Sequence, residues 1–512
     1  MSSARKWASL AVLVGAVLLL TIDSTVLYLA VPHLTQELGA TSAQILWIGD
    51  IYSLAIAGLL VTMGNLADLI GRKRLLLMGA VAFAAASALA AFSVTPEMLI
   101  VARLLLGIAG ATLMPSTLAL IRTVFEDPAE RSRAIAIWSA AAAGGLALGP
   151  LVGGALLAHF WWGSVLLINV PVVAILVVAG AIVLPESKNP DRGRFDLLSS
   201  ALSMAALVPL VFAIKKSLSG DLGLAVVVAL AISVVASVAF VRRQRRSPAP
   251  MIDVSLFRVP EFAGAVSLNF ITVFAFSGLL FFFSQYLQLV QGMTPLEAGL
   301  AQLPVSIASM AVVALVGWSL RRLGRGPAIG TALLVAAAGL VGLGLAESGD
   351  SYLWIGLALV PVGLGIGLAE TLSVDAVVSA VPAPKAGAAA SVSETAYELG
   401  VAFGIAVLGS VVSAVYRAHM VVPAYLTGSD KAAAADSLSG AAHVLDPASE
   451  AWRHAQEAFV AGMQVATIVA VMMLLGGAVV AWRIIPGRQR RDLTQEDAWD
   501  ASRDALQVTP SA

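Results

Sequence analysis

The 512-residue chain has no cysteine, which excludes disulfides, thiolate metal sites and a cysteine nucleophile. Charge is scarce: 12% of residues are Asp, Glu, Lys or Arg, against about 25% in an ordinary soluble domain. The 31 basic and 31 acidic residues cancel, so nucleic acid has no electrostatic reason to bind. There is no Gly-x-x-x-x-Gly-Lys-Ser/Thr phosphate loop and no His-Glu-x-x-His. The five histidines (His33, His159, His419, His443 and His454) fall in or near connections. ATP is thereby disfavoured as a direct energy source, and a membrane-embedded enzyme would lack both a nucleophile–base pair and a metal cluster. What the chain has in excess is apolar surface, with 59% hydrophobic residues and a mean hydropathy of +0.91. A soluble domain cannot keep that much apolar surface from water, so the expected solvent is lipid.

If a spanning helix takes about 20 residues, the length allows more than ten spans and no large soluble domain. Apolar stretches broken by charge or by Pro/Gly turns predict fourteen. The first six lie near 8–31, 43–65, 75–94, 98–121, 133–158 and 164–184. A further pair at 197–214 and 222–241 follows a polar linker, and six more lie near 262–286, 296–319, 327–346, 352–379, 389–415 and 457–483. The first apolar run, Trp7 to Val31, exceeds the 7–15 residues of a signal-peptide core and is taken as the first span.

Lys and Arg set the expected orientation, since bases collect in cytoplasmic loops. Arg5 and Lys6, Arg72 to Arg74, Arg122, Arg131, Arg133, Lys188 to Arg194, Arg242 to Arg246, Arg258, Arg321 to Arg325, Lys385 and the tail from Arg483 fall on one side, 25 of the 31 bases in all. Five (Lys215, Lys216, Arg417, Lys431 and Arg453) fall on the other, and Arg103 lies within a span. Both termini are therefore expected in the cytoplasm. The longest outer connection, 417–456, is Ala- and Ser-rich and reads as a tolerated insertion or a small amphipathic hairpin.

Two internal echoes suggest duplication. Gly64 to Arg72 has Gly, six residues, then Gly71-Arg72; Gly317 to Arg325 repeats this 253 residues later, as Gly324-Arg325. Gly145-x-x-x-Gly149 with Gly154 recurs as Gly400-x-x-x-Gly404 with Gly409, offset by 255. Duplicated six-helix units are the mark of transporters whose halves rock about a midplane site.

The loop Gly64-Asn-Leu-Ala-Asp68-Leu-Ile-Gly71-Arg72-Lys73-Arg74 resembles the signature loop between helices 2 and 3 of the major facilitator superfamily. Arg103-Leu-Leu-Leu-Gly107-Ile-Ala-Gly110 resembles its helix-4 motif, and Gly145-Leu-Ala-Leu-Gly149-Pro150-Leu-Val-Gly153-Gly154 the helix-5 motif of antiporters. Ile22-Asp23-Ser24-Thr25-Val26 through Pro32 is similar to the helix-1 motif of the fourteen-helix drug:proton branch. Within that branch, Trp47-Ile-Gly-Asp50-Ile-Tyr52-Ser53-Leu54 and the acids of span 13 most resemble exporters of quaternary ammonium compounds and other lipophilic cations. Ser393 and Ser309 stand where such exporters can carry further carboxylates. The resemblance implies an all-α polytopic membrane protein with the major facilitator fold, two six-helix bundles (1–186 and 255–486) and two additional helices with their linker (187–254). The cytoplasmic tail is then 487–512.

Charges inside a bilayer cost several kcal/mol each and default to functional candidates facing a cavity. Seven matter: Asp23, Asp50, Arg103, Glu370, Asp375, Glu394 and Glu398. Asp23 lies about eight residues, roughly 12 Å, from the outer end of span 1, and is read as a proton-coupling group or as a helix-packing polar residue. Asp50 is read as a second cation contact. Glu394 and Glu398, one turn apart, share a helix face and suit cation recognition or proton exchange. Glu370 is a further cavity candidate, whereas Asp375, nearer the cytoplasm, suits a partner for inner-surface bases. Arg103 needs an acidic or carbonyl partner; the resemblance implies that it helps relay the proton, and its plainer role is to tie span 4 to span 1. Asp68 with Arg72, bracketed by Gly64 and Gly71, reads as a cytoplasmic latch. Gly145, Gly149, Pro150, Gly153 and Gly154 clear one face of span 5 for close helix approach and bending. Tyr52, Phe282, Tyr286 and Tyr397 are candidates to stack on a cation, and Trp161 with Trp162 read as an interface belt.

The expected function is proton-driven export of lipophilic, often aromatic mono- and divalent cations by a monomer in the cell membrane. Its partners are small cations, protons and lipid, and it needs no cofactor or metal. A lipid or native metabolite on the same scaffold is the alternative cargo.

Overall fold

The computed structural model describes residues 2–188, 196–247, 250–347, 349, 351–381 and 385–486. The expected tail 487–512 and linker residues 189–195 and 248–249 lie outside the described residues. All regular structure among the described residues is helical. In chain order the helices are α1 Ser3–Val26, α2 Val31–Leu38, α3 Ser42–Ile70, α4 Arg72–Ala91, α5 Pro96–Val124, α6 Pro128–His159, α7 Ser164–Leu167, α8 Asn169–Val183, α9 Leu197–Leu218 and α10 Leu224–Arg246. They continue as α11 Pro260–Leu289, α12 Pro295–Ala301, α13 Leu303–Ala311, α14 Val313–Arg322, α15 Arg325–Ala346, α16 Tyr352–Ser379, α17 Ala386–His419, α18 Gly428–Asp436, α19 Leu438–Val444 and α20 Glu450–Ile484.

Among the described residues, thirteen helical segments are long and apolar enough to span a membrane. A fourteenth span is α12–α14, which the sequence reads as one helix at 296–319. It is broken, with a bend of 47° between Pro295–Ala311 and Val313–Arg322. Pro304 at the start of α13 removes a helix donor there; nothing in the sequence explains the bend itself. Helix 1 also runs further than its apolar stretch, through a 3-10 turn at Leu27–Ala30 and on to Leu38. Large apolar side chains such as Ile175, Leu224, Val313 and Met472 point outward, as a lipid solvent allows.

The helices start where the sequence supplies caps. Thr41 and Gln44 form a capping box, and Asp127 and Ser449 accept from backbone N–H groups at the starts of α6 and α20. These polar caps lie outside the apolar runs, so both helices extend beyond the spans at 133–158 and 457–483. The two Gly-Arg echoes occupy matching breaks: Gly71 before α4 and Gly324 before α15 have φ of 113° and 83°, which other residues rarely adopt.

Small residues let the helices approach. On α6, Gly145, Gly149 and Gly153 face Thr21, Thr25 and Val26 of α1. On α17, Gly400 and Gly404 face Phe270 and Phe274 of α11. The second echo therefore has the same packing job in each half. Gly154 has another: a Cβ there would stand 2.9 Å from the Leu296 Cα of α12.

Contacts between the first and last groups of helices lie from the middle toward the face that carries the 417–456 connection, here the loop face. Gly154 meets Pro295 and Leu296, Gly299 meets Pro150, and Gly49 lies 3.0 Å from the Phe281 ring by its Cβ position. Gln288 Nε2 donates to the Leu29 carbonyl at 3.1 Å. The opposite face carries most of the bases and is called the basic face. The 417–456 connection is shorter than the sequence suggests, because α17 continues to His419 and α20 starts at Glu450. It is packed: Asp436 accepts from the Ser42 backbone N–H at 2.6 Å, and Tyr416 donates to the Ala434 carbonyl at 2.9 Å. Trp161 is exposed, as a belt residue should be, but Trp162 is buried in the helix core.

Helices α9 and α10 sit outside the duplicated helices, with α9 against both α3 and α17. Leu54, Val211, Ala402 and Ala406 form a small apolar cluster on that seam. Toward the basic face, Thr62 of α3 hydrogen-bonds Ser200 of α9.

Candidate functional site: buried charges at the seam

Three groups of intramembrane charge emerge, and they differ in how they are compensated. In the first, Asp23 is fully buried and both carboxylate oxygens are engaged. Arg103 Nη1 donates to Oδ2 at 2.9 Å, and Asn169 Nδ2 donates to Oδ1 at 2.7 Å. Asn169 also reaches Ser87 Oγ at 3.1 Å. The Arg103 Nε donates to the Ile48 carbonyl at 3.3 Å, and its guanidinium lies 4.3 Å from the centre of the Tyr52 ring. One arginine thus joins α1, α3 and α5, while Asn169 brings in α8 and Ser87 of α4.

The second group is Asp50 with Lys215 Nζ at 2.7 Å. Both are buried, and the ammonium lies 3.8 Å from the centre of the Trp47 ring. Neither Asp50 oxygen has a well-directed hydrogen-bond donor among the described residues, so the lysine compensates it chiefly as a charge. This corrects the sequence reading, which placed Lys215 in an outer loop. Helix α9 continues to Leu218, and Lys215 turns back into the bundle.

The third group, Glu370, Glu394 and Glu398 with Tyr397, forms no ion pair within 4.0 Å among the described residues. Glu394, Tyr397 and Glu398 follow the i, i+3, i+4 spacing that puts them on one side of α17. Glu370 of α16 is within electrostatic reach of Glu394 and Tyr397. Glu398 faces Ser53 of α3 and is within electrostatic reach of Arg103. Tyr28 and Tyr52 both lie within that reach of Arg103 and of Glu398. The first and third groups therefore meet across the seam, with Tyr28 and Tyr52 between them. Glu370, Glu394 and Tyr397 keep partial exposure.

Other sequence candidates lie elsewhere. Tyr286 is fully buried near the loop face; its ring stacks on Phe283 and its hydroxyl donates to the Glu347 carbonyl at 3.0 Å. Tyr286, a candidate to stack on a cation, is thus buried with its ring against Phe283. Phe282 packs edge-on to Phe281, which does the same to Tyr28. Asp68 holds Arg72 at 2.9 Å, and Arg72 reaches Thr123 and Ser187. In the other half Arg325 pairs with Asp375 at 2.9 Å, so each Gly-Arg turn anchors a basic-face ion pair. Asn169, Ser87, Tyr28, Trp47 and Lys215 were missed by sequence reasoning. For Lys215 a signal existed, since it lies within four residues of an apolar run.

Against known proteins, residues 13–405 match the family model described as Major Facilitator Superfamily. The chain is 44% identical over 481 residues to the multidrug efflux pump LfrA of Mycolicibacterium smegmatis, covering 93% of this chain and 95% of that protein. It is 36% identical to the methyl viologen resistance protein SmvA of Salmonella typhimurium, covering 95% and 100%. Among solved structures, a bacterial homologue of the human lysosomal transporter Spinster, inward-facing and unoccupied, superposes with a TM-score of 0.64. Its identity is 15%, and the match covers 94% of this chain and 97% of that one.

Proposed function

Since the chain belongs to the Major Facilitator Superfamily, is a multi-pass membrane protein and has multidrug efflux pumps as its relatives, we propose that it exports lipophilic, often aromatic cations in exchange for protons. The observation that carries this reading is the contrast in compensation at the seam. Asp23 and Asp50 already have cationic partners in ion-pair contact, whereas Glu370, Glu394 and Glu398 have none within 4.0 Å among the described residues. A carboxyl group in a poorly hydrated site is neutral when it holds a proton and is stabilised as an anion when a cation sits beside it. Proton and drug compete for such a group, and alternating access turns that competition into exchange.

In this reading Glu394 and Glu398 receive cation or proton, Glu370 and Tyr397 extend the cavity wall, and Tyr52 lies between them and the Asp23–Arg103 pair. Arg103 responds to the charge on Glu398, and Asp23 is the coupling group whose hold on Arg103 changes with it. Asp50 reads the second charge of a dication. Methyl viologen, in the name of one relative, is such a dication. The basic face is cytoplasmic by the distribution of Lys and Arg, with both termini on it, and the protein works as a monomer without a cofactor.

The test is ethidium movement in proteoliposomes. We expect uphill export when a pH gradient is imposed and its loss on adding an uncoupler. Export that persists without a gradient but with ATP would overturn the reading.

A further inference from the structure

We propose that Lys215 is a tethered cation that occupies the site where Asp50 and Trp47 would otherwise receive the second charge of a dicationic substrate, making Lys215 a specificity-determining residue. The inference rests on the cation-export reading above. A carboxylate beside an aromatic face is the arrangement that binds organic ammonium groups. Here that arrangement is built and filled by the chain itself: the Lys215 Nζ lies 2.7 Å from Asp50 Oδ2 and 3.8 Å from the Trp47 ring centre.

The geometry gives the lysine a way out. Lys215 is in the last turn of α9, three residues before its end at Leu218. Its neighbour Lys216 is partly exposed and pairs with exposed Asp221 at 2.8 Å. Only the Lys215 side chain dips inward, and a flexible four-carbon stem at a helix end can turn its ammonium to the aqueous surface. A dication can therefore exchange with Lys215 without any uncompensated charge remaining at Asp50. The same contact joins α9 to α3 at the seam, beside Leu54, Val211, Ala402 and Ala406, so the helix pair outside the duplicated halves bears on substrate choice.

The measurement is calorimetric binding of methyl viologen and of ethidium to the purified full-length protein at fixed pH. Lys215→Met removes the competitor while keeping an unbranched side chain; methyl viologen should bind about tenfold tighter, with ethidium changed less than about threefold. Adding Asp50→Asn to Lys215→Met should abolish the gain. Lys215→Arg keeps the charge but presents a planar fork that a carboxylate holds more firmly, so methyl viologen should bind about tenfold more weakly, again without a matching change for ethidium. Lys215→Arg also guards against the chance that Lys215→Met, which leaves Asp50 unpaired, fails to fold.

A folded Lys215→Met protein with unchanged or weaker methyl viologen binding would overturn the proposal. So would equal methyl viologen affinity in Lys215→Arg and wild type, or parallel changes for both dyes, which would mark the lysine as a purely structural tie. Wild type that binds neither dye would instead refute the cation-export reading itself.

Discussion

The two halves of the seam hold the same kind of residue in opposite electrostatic circumstances. On the N-terminal side Asp23 is held by Arg103 and Asn169, and the arginine is shared with the Ile48 carbonyl and the Tyr52 ring. On the C-terminal side Glu394 lies within electrostatic reach of Glu370 and Glu398, and Tyr397 of all three, without a base in ion-pair range among the described residues. A fully compensated acid is rigid and costly to disturb, because either partner left alone is a buried charge. An uncompensated acid changes partner readily. The difference supports the proposal that the C-terminal acids exchange cation and proton directly, while Asp23 takes part through its hold on Arg103.

The largest expected effect comes from breaking the compensated side. Asp23→Asn cannot alternate between charged and neutral forms and leaves Arg103 without its counter-ion. Active export of every substrate should be abolished, read as a loss of more than about a hundredfold in the initial rate of gradient-driven dye efflux. A folded variant with near wild-type uphill transport would remove Asp23 from coupling. On the exchanging side, Glu394→Gln should weaken binding of ethidium and methyl viologen alike, by one to two powers of ten, since 1.4 kcal/mol is a factor of ten. Asp50→Asn should be milder and selective, with about a tenfold loss for methyl viologen and little for ethidium. Equal losses would mean that Asp50 acts through structure or coupling.

These expectations draw on unequal kinds of sequence signal. Asp23, Glu394 and Glu398 are legible because a carboxylate inside an apolar run is rare and expensive. Asn169 and Ser87 are not, because neutral polar residues are common in spans and their partners lie 146 and 82 positions away. Lys215 looked like a loop base because apolar composition, not hydrogen bonding, set the end of its span. The spans themselves were legible from composition, but their ends were not, since Thr41, Asp127 and Ser449 cap helices outside the apolar runs. The bend within α12–α14 depends on packing that a single sequence does not display.

The closure that separates the acids from the loop face offers a smaller effect. A Cβ on Gly154 would come within 2.9 Å of the Leu296 Cα, and Gly299 makes the reciprocal approach to Pro150. Gly154→Val should wedge this contact and shift the population away from the state closed on the loop face by a few fold. The absence of native cysteine permits paired spin labels across the closure, and a longer distance distribution is the expected result. An unchanged distribution would show that the helices reseat around the added side chain.

The smallest effect contrasts burial at constant chemistry. Asp196 pairs with Arg243 at 2.9 Å, the same separation as Asp23 and Arg103, but at the basic-face ends of α9 and α10, where Arg243 is exposed. The guanidinium hydrogen bond, with help from Ser199, holds the Asp196 carboxyl down at about 2. A depressed carboxyl stabilises the folded state fully above its ordinary value of 3.8, and this contribution disappears as pH falls through about 2. Solvent screening limits such an exposed pair to about 0–1 kcal/mol. Asp196→Asn should therefore lower the apparent melting temperature by less than about 2 °C at neutral pH, and the difference from wild type should shrink as pH is lowered from 4 toward 2. A loss of many degrees at neutral pH would show that separation and charge outweigh solvent exposure in setting what an ion pair of this geometry contributes.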